Sequence, residues 1–135
     1  MRTAQRYRWW RRRLVAVLLL AALSAGLAAQ TWQPPPKPSP GLMPNPVLGK
    51  PLYETHCAAC HGPGLNGTET GPPFLHRVYE PSHHSDAAFQ MAVASGVHAH
   101  HWQFGDMAAL PELTPDEVAH ITAYIRMYQR RAGIR

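Results

Sequence analysis

Cysteine is scarce in this sequence, with two residues, Cys57 and Cys60, in a chain of 135. One cysteine pair leaves no second disulfide to stabilise a small domain, which then needs another source of core. Strand signals are also absent, because no segment alternates apolar and polar residues between turn signals. The sequence therefore predicts an all-α domain without a disulfide framework.

Basic residues are scarce beyond the N-terminus. The whole chain has a net charge of +5, but six of its thirteen basic residues precede residue 14. From residue 14 onward, seven basic residues stand against eight acidic ones, a net charge of −1 with neutral histidines. A nucleic-acid-binding domain needs a clustered basic surface, so we expect no nucleic acid among the partners.

The sequence has only one long apolar run, residues 14–29, which follows an arginine-rich segment and ends in small residues. As a helix this run would span about 24 Å, short of the ~30 Å hydrocarbon core of a bilayer. We interpret residues 1–29 as a signal peptide cleaved near Ala28 or Ala29. The alternative is an uncleaved membrane anchor, with tryptophans at its two interfaces: Trp9, Trp10 and Trp32. In both cases we expect a periplasmic or extracytoplasmic domain, soluble or tethered, with membrane contact only through this segment.

Residues 30–46 are interpreted as a proline-rich linker. Seven of the fourteen prolines lie in residues 33–46, and such a composition breaks helices and sheets and favours extended polyproline II. We expect a semi-rigid spacer there, followed by the folded domain in residues 47–135.

The last helix of that domain is the clearest. Thr114 predicts an N-cap, Pro115 suits the first helical position, and Glu117 completes a capping box. Four apolar residues then recur at helical spacing on one face: Val118, Ile121, Ile125 and Tyr128. Three arginines are expected near the negative end of the helix dipole: Arg126, Arg130 and Arg131.

Two further helices are predicted. One runs from Ser85 to Ser95 and stops at Gly96. The other runs into the cysteines from about Gly49, with Pro51 in its first turn. Three helices and two long loops in the 89 residues of the domain bury too little apolar area for a self-sufficient core. We therefore expect a further group to fill the centre.

The two cysteines and the histidine behind them form the motif C-A-A-C-H, which ends at His61. A thiol–disulfide enzyme would place such a motif after a strand, and no strand is predicted. A structural zinc site would need two more cysteine or histidine ligands at matching spacing. In c-type haem attachment, the thiols bond to the two vinyl groups and the histidine binds the iron. The spacing favours haem attachment over the other two interpretations.

Residues 49–129 resemble a monohaem class I cytochrome c. The likeness rests on "GKPLYETHCAACHG", "TGPPFL" and "FGDM", followed by a helix that contains "ITAYIR". It implies the cytochrome c fold, three main helices with long loops around one covalently attached haem c. It also implies roles for four residues: Cys57 and Cys60 form thioethers, His61 is the proximal ligand, and the Pro72 carbonyl accepts the His61 ring N–H. The first and last helices would cross through Gly49, Tyr53, Ile121 and Tyr124.

Met107 is the expected sixth iron ligand. It lies in a loop 46 residues beyond His61, so the chain can return over the opposite haem face. Met91 lies inside a predicted helix and Met127 near the far end of another, which makes both poorer candidates. The alternative for Met107 is a gap-filling core residue.

Five histidines offer another source of ligands: His83, His84, His98, His100 and His101. Any of them is an alternative sixth ligand. Beside Asp86 and Asp106, they also suggest the hypothesis of a second metal site, for copper or zinc. The other interpretation is that they are solvated loop residues, one or two of which bond to the haem propionates along with Trp102.

These expectations lead to an electron carrier rather than an enzyme. An iron held by both His61 and Met107 has no open coordination position, which disfavours substrate chemistry at the metal. We expect redox proteins as partners, namely a dehydrogenase, a copper protein or an oxidase, docked briefly through a small interface. Two alternatives stay open: a haem enzyme or gas sensor with a labile sixth ligand, and a haem protein with an accessory histidine-rich copper site.

Overall fold

The computed structural model describes residues 34–135, which form one compact unit. The predicted signal peptide or anchor and the first residues of the linker lie outside this range. The described residues form four α-helices and one short 3₁₀ helix: α1 (Pro46–His56), α2 (Ala58–His61), the 3₁₀ helix (Arg77–Tyr79), α3 (Asp86–Ser95) and α4 (Pro115–Arg131). Between residues 34 and 135 there is no strand, only one isolated bridge between Val97 and Met107. The all-α prediction is confirmed. In the same range no helix is both long and apolar enough to cross a membrane.

Helix α4 forms as its sequence predicts. The Thr114 hydroxyl accepts the Glu117 N–H at 3.3 Å, and the Glu117 carboxylate accepts the Thr114 N–H at 2.8 Å. These two bonds satisfy donors that a helix start otherwise leaves free. Three apolar residues of the predicted face, Val118, Ile121 and Ile125, are at most 3% exposed and form the centre of the core.

Helix α1 crosses α4 at close range, as the resemblance implies. Gly49 is buried against the backbone of His120, where a β-carbon would overlap the carbonyl oxygen. The rings of Tyr53 and Tyr124 lie 5.3 Å apart between the two helices. The Tyr53 hydroxyl also donates to the carbonyl of Gly62 at 2.6 Å, so this crossing positions the C-A-A-C-H segment.

The start of α1 differs from the prediction. The helix begins at Pro46, because the Asn45 side chain caps it by accepting the Val47 N–H at 2.9 Å. Pro51 therefore lies in the second turn, and the prediction of a start near Gly49 with Pro51 in the first turn is wrong. Proline cannot donate to the carbonyl four residues earlier. That carbonyl belongs to Val47, which is 76% exposed, so water can hydrate it.

The described part of the proline-rich segment packs on α4. Residues 34–45 form neither helix nor strand, as their composition predicts. The Ser39 N–H donates to the Asp116 carboxylate at 2.6 Å, and the Asn45 N–H donates to Nδ1 of His120 at 2.9 Å. This stretch of the chain is therefore bound to the domain at two points.

Arg126 does not lie in the last turn of α4, where the basic residues are Arg130 and Arg131. The prediction that it lies near the negative end of the helix dipole is therefore wrong for this residue. Its side chain is 7% exposed and reaches the turn between the 3₁₀ helix and α3. The guanidinium donates to the Asp86 carboxylate at 2.8 Å, to the Tyr79 carbonyl at 2.7 Å and to the Gln129 side chain at 2.7 Å. It also donates to the carbonyl of His84. Arg126 thus fixes this turn to α4.

Candidate functional site

One cavity of about 500 Å³ lies in the core of the domain. This volume falls in the range of about 300–1,000 Å³ that is usual for cofactor sites. Its walls combine apolar residues of α4 with five aromatic side chains from the loops, the 3₁₀ helix and α3: Phe74, Tyr79, Phe89, Trp102 and Phe104. Cys57, His61 and Met107 also line it. The structure therefore brings the predicted proximal and distal residues to one cavity.

The two cysteines flank a single helical turn. The Cys57 N–H still donates to the Tyr53 carbonyl of α1, and the Cys57 carbonyl accepts the His61 N–H, both at 2.9 Å. Both thiols are free; Cys57 is partly buried on the cavity wall and Cys60 is exposed. Burial, followed by the neighbouring Cys60, raises the pKa of the Cys57 thiol to about 11. Thiol–disulfide enzymes lower the pKa of their reactive cysteine, so the site does not support that chemistry.

His61 is oriented for a metal on its cavity side. Its Nδ1 lies 2.9 Å from the Pro72 carbonyl oxygen, which can only accept, so Nδ1 carries the proton. The bare lone pair is then on Nε2. Burial lowers the pKa of His61, although the Pro72 carbonyl opposes that effect. The Phe74 ring stacks on the imidazole with 4.1 Å between centroids, which fixes its plane.

Backbone hydrogen bonds fix the position of Met107. It exchanges two hydrogen bonds with Val97, each 2.9 Å long, at the point where the chain leaves α3. Gly96 makes this approach feasible, because a β-carbon there would lie 2.6 Å from the Met107 carbonyl oxygen. Met91 of α3 also lines the cavity. Met127 is partly buried against the core.

A haem fits these residues. The cavity wall includes a histidine and a methionine, two residue types that bind haem iron in proteins. Its thiol and aromatic walls suit a covalently attached, apolar porphyrin. The sequence did not predict that Phe74 stacks on His61 or that Val97 pairs with Met107. Neither contact produces a periodic pattern in the sequence. Gly96, predicted only as a helix stop, was the one local sign of the close approach to Met107.

The structure divides the five histidines. The ligand nitrogens of His83, His84 and His101 lie within 4.8 Å of one another. His98 instead bonds through Nδ1 to the Asp106 carboxylate at 2.8 Å, and His100 bonds to the carbonyl of His98 at 2.8 Å. The cavity wall includes four of the five, all except His98.

Electrostatics within this group oppose protonation. Burial lowers the pKa of His84; the hydrogen bond to the Val78 carbonyl opposes this effect, and the nearby His83, His100 and Arg126 add to it. The pKa of His101 is lowered by desolvation and then by the neighbouring histidines. Neutral imidazole is the form that binds metals.

Comparison with known proteins agrees with this site. The family model for cytochrome c matches residues 46–129, which is more than half of the chain and nearly the range of the resemblance. Neither the curated proteins nor the solved structures compared with the chain gave a match. The chain belongs to the cytochrome c family, and it is an electron-transfer protein that binds haem c covalently.

Proposed function

We propose that this protein carries single electrons outside the cytoplasm on a haem whose iron is bound by His61 and Met107. Cys57 and Cys60 form the two thioether bonds. One observation carries the proposal: His61, oriented by Pro72, and Met107, anchored on Val97, line the same cavity. Their backbones come from distant parts of the chain, which allows them to approach a planar group from opposite faces.

The arrangement suits electron transfer more than catalysis. The haem supplies a one-electron couple, and two protein ligands leave no coordination position for a substrate. Both ligands are held by hydrogen bonds that do not depend on the oxidation state, so little movement accompanies electron transfer. Apolar walls and thioether ligation favour the reduced state.

Partners are redox proteins: an exported dehydrogenase as donor, and a copper protein or oxidase as acceptor. Cys60 is exposed, which supports electron entry and exit at the porphyrin edge bonded to this thiol. Docking at such an edge needs only a small interface of less than about 1,200 Å². The predicted export segment supports a location in the periplasm or an equivalent compartment.

Optical spectra test the proposal. The protein is produced with the haem-attachment machinery and recorded oxidised, reduced, and reduced with carbon monoxide. We expect a low-spin spectrum with the weak near-infrared sulfur-to-iron band, unchanged by carbon monoxide at neutral pH. A clear carbon monoxide shift in the wild-type protein would contradict the proposal and favour a haem enzyme or gas sensor.

A further inference from the structure

We propose that His83, His84 and His101 form a second metal site, for a copper ion, in the wall of the haem cavity. The three residues come from two segments: the turn before α3 and the loop of residues 98–106. Their ligand nitrogens lie within 4.8 Å of one another. This inference goes beyond the proposed electron transfer and does not depend on the sixth iron ligand.

The closest pair already has the spacing of ligands on one ion. Nε2 of His83 lies 3.1 Å from Nε2 of His101. Two nitrogens, each ~2.0–2.1 Å from one metal at a tetrahedral angle, lie roughly 3.3 Å apart. The other nitrogen pairs, which lie within 4.8 Å, must close by up to about 1.5 Å to reach this spacing. His83 and His101 are exposed and His84 is partly buried, so we expect the His83 and His101 rings to move toward His84.

His84 has the supporting contact that metal-binding histidines usually make. Its Nδ1 lies 2.6 Å from the Val78 carbonyl, which must accept, so Nε2 keeps a bare lone pair. The His84 backbone is held in turn by the buried guanidinium of Arg126. His84 is therefore the fixed ligand of the three.

The ligand set selects the kind of ion. Three imidazoles without a carboxylate do not suit calcium or magnesium, which prefer oxygen. Imidazole suits copper and zinc, and Cu²⁺ binds more tightly than Zn²⁺ at the same ligands. The two nearby carboxylates are already engaged: Asp86 with Arg126 and Asp106 with His98. His100 lies next to His101, with ring centroids 4.4 Å apart, but its Nδ1 bonds to the His98 carbonyl.

A metal ion at this site would change the reduction potential of the haem. His83, His84 and His101 line the haem cavity, so a bound cation adds positive charge beside it. Positive charge favours the less positive oxidation state of iron, and a bound ion therefore raises the haem reduction potential. Zn²⁺ is the redox-silent probe of this effect.

The test uses haem-loaded protein without a histidine tag, titrated with Cu²⁺ by calorimetry and followed by electron paramagnetic resonance. We expect one Cu²⁺ per chain with nitrogen ligands from the imidazoles. His101→Ala and His84→Ala should each weaken binding by more than the about 10–100-fold typical of losing an outer-shell partner. His98→Ala is the matched control, since it lies in the same loop outside the group, and should bind as the wild type does.

Three results would overturn the proposal. The first is no stoichiometric Cu²⁺ binding, and the second is equal loss of binding in His98→Ala and His101→Ala. The third is an altered iron spectrum in metal-free His84→Ala or His101→Ala, which would assign these histidines to the haem.

A second experiment measures the haem potential with Zn²⁺. Zn²⁺ should raise the haem potential of the wild type and of His98→Ala but not of a His83→Ala/His101→Ala variant. An unchanged potential in the wild type would contradict the placement of the ion beside the haem.

Discussion

Gly49 of α1 lies directly against the backbone carbonyl of His120 in α4, with no room between them for a β-carbon. In most helical positions alanine is more stable than glycine by roughly 0.5–1 kcal/mol. Here we expect Gly49→Ala to lower the free energy of unfolding by about 1–3 kcal/mol, because backbone atoms must separate. Urea unfolding of the haem-loaded protein measures this change.

The control for this prediction is Gly64→Ala. There the nearest atom to an added β-carbon is the side-chain nitrogen of Asn66 at 3.0 Å, and a flexible side chain can move away. Gly64→Ala should leave the unfolding free energy nearly unchanged. Equal stability of the two variants would show that the helices do not cross at Gly49.

Met107 and Met91 both line the cavity, and a matched pair of substitutions separates their roles. Leucine keeps nearly the same volume without the sulfur. We expect Met107→Leu to abolish the near-infrared sulfur-to-iron band and to permit carbon monoxide binding to the reduced protein. Met91→Leu should change neither property. The reverse pattern would assign the iron ligand to α3 rather than to the loop.

Arg126 joins α4 to the turn before α3, and lysine cannot reproduce its several directed hydrogen bonds. We expect Arg126→Lys to lower the unfolding free energy by at least about 2 kcal/mol, because buried acceptors lose a charged donor. Because this turn carries His84, the variant should also weaken Cu²⁺ binding. Arg130→Lys, at an exposed position of the same helix, is the control and should alter neither quantity. Wild-type stability of Arg126→Lys would refute the bracing role.

The Asp116 carboxyl makes the stability of the folded protein depend on pH in the acid range. The Ser39 backbone N–H, followed by the Ser39 side chain, lowers the pKa of this carboxyl. The folded state then binds the proton less tightly than the unfolded state. The contact therefore stabilises the fold above the ordinary carboxyl pKa of about 4 and is lost as the pH falls through the lowered pKa.

Asp116→Asn should make the unfolding free energy less dependent on pH below about 4, since asparagine can still accept the hydrogen bond but does not titrate. Denaturant titrations over this pH range provide the measurement. Glu69→Gln, at an exposed loop position, should keep the slope of the wild type. An Asp116→Asn slope identical to the wild-type slope would mean that Ser39 does not bind the Asp116 carboxylate in solution.

Local signals made α3 and α4 predictable. A capping box, a proline at the first helical position and a regular apolar face are all contained within a few residues of Thr114. The start of α1 was missed because its cap, Asn45, lies inside the proline-rich stretch and resembles linker sequence. The same Pro46 that breaks regular structure in a linker is favourable at the first position of a helix.

The motif residues of the site could be anticipated, but not the contacts that hold them. The two cysteines and His61 lie within about one helical turn, so their spacing in the sequence already indicates haem attachment. By contrast, Arg126 and Asp86 are 40 residues apart in sequence, and nothing local shows that they pair. The separation of His98 from the other histidines likewise depends on Asp106, which the chain brings back only after the loop closes.

The two hydrogen bonds between Val97 and Met107 also affect how this protein can change over evolutionary time. They close the loop of residues 98–106 at its base, so the position of Met107 does not depend on the number of residues between them. Lengthening a closed loop is inexpensive, since each doubling costs only about 0.6 kcal/mol. Insertions there can therefore diversify the histidine-bearing rim of the cavity while the methionine stays in place.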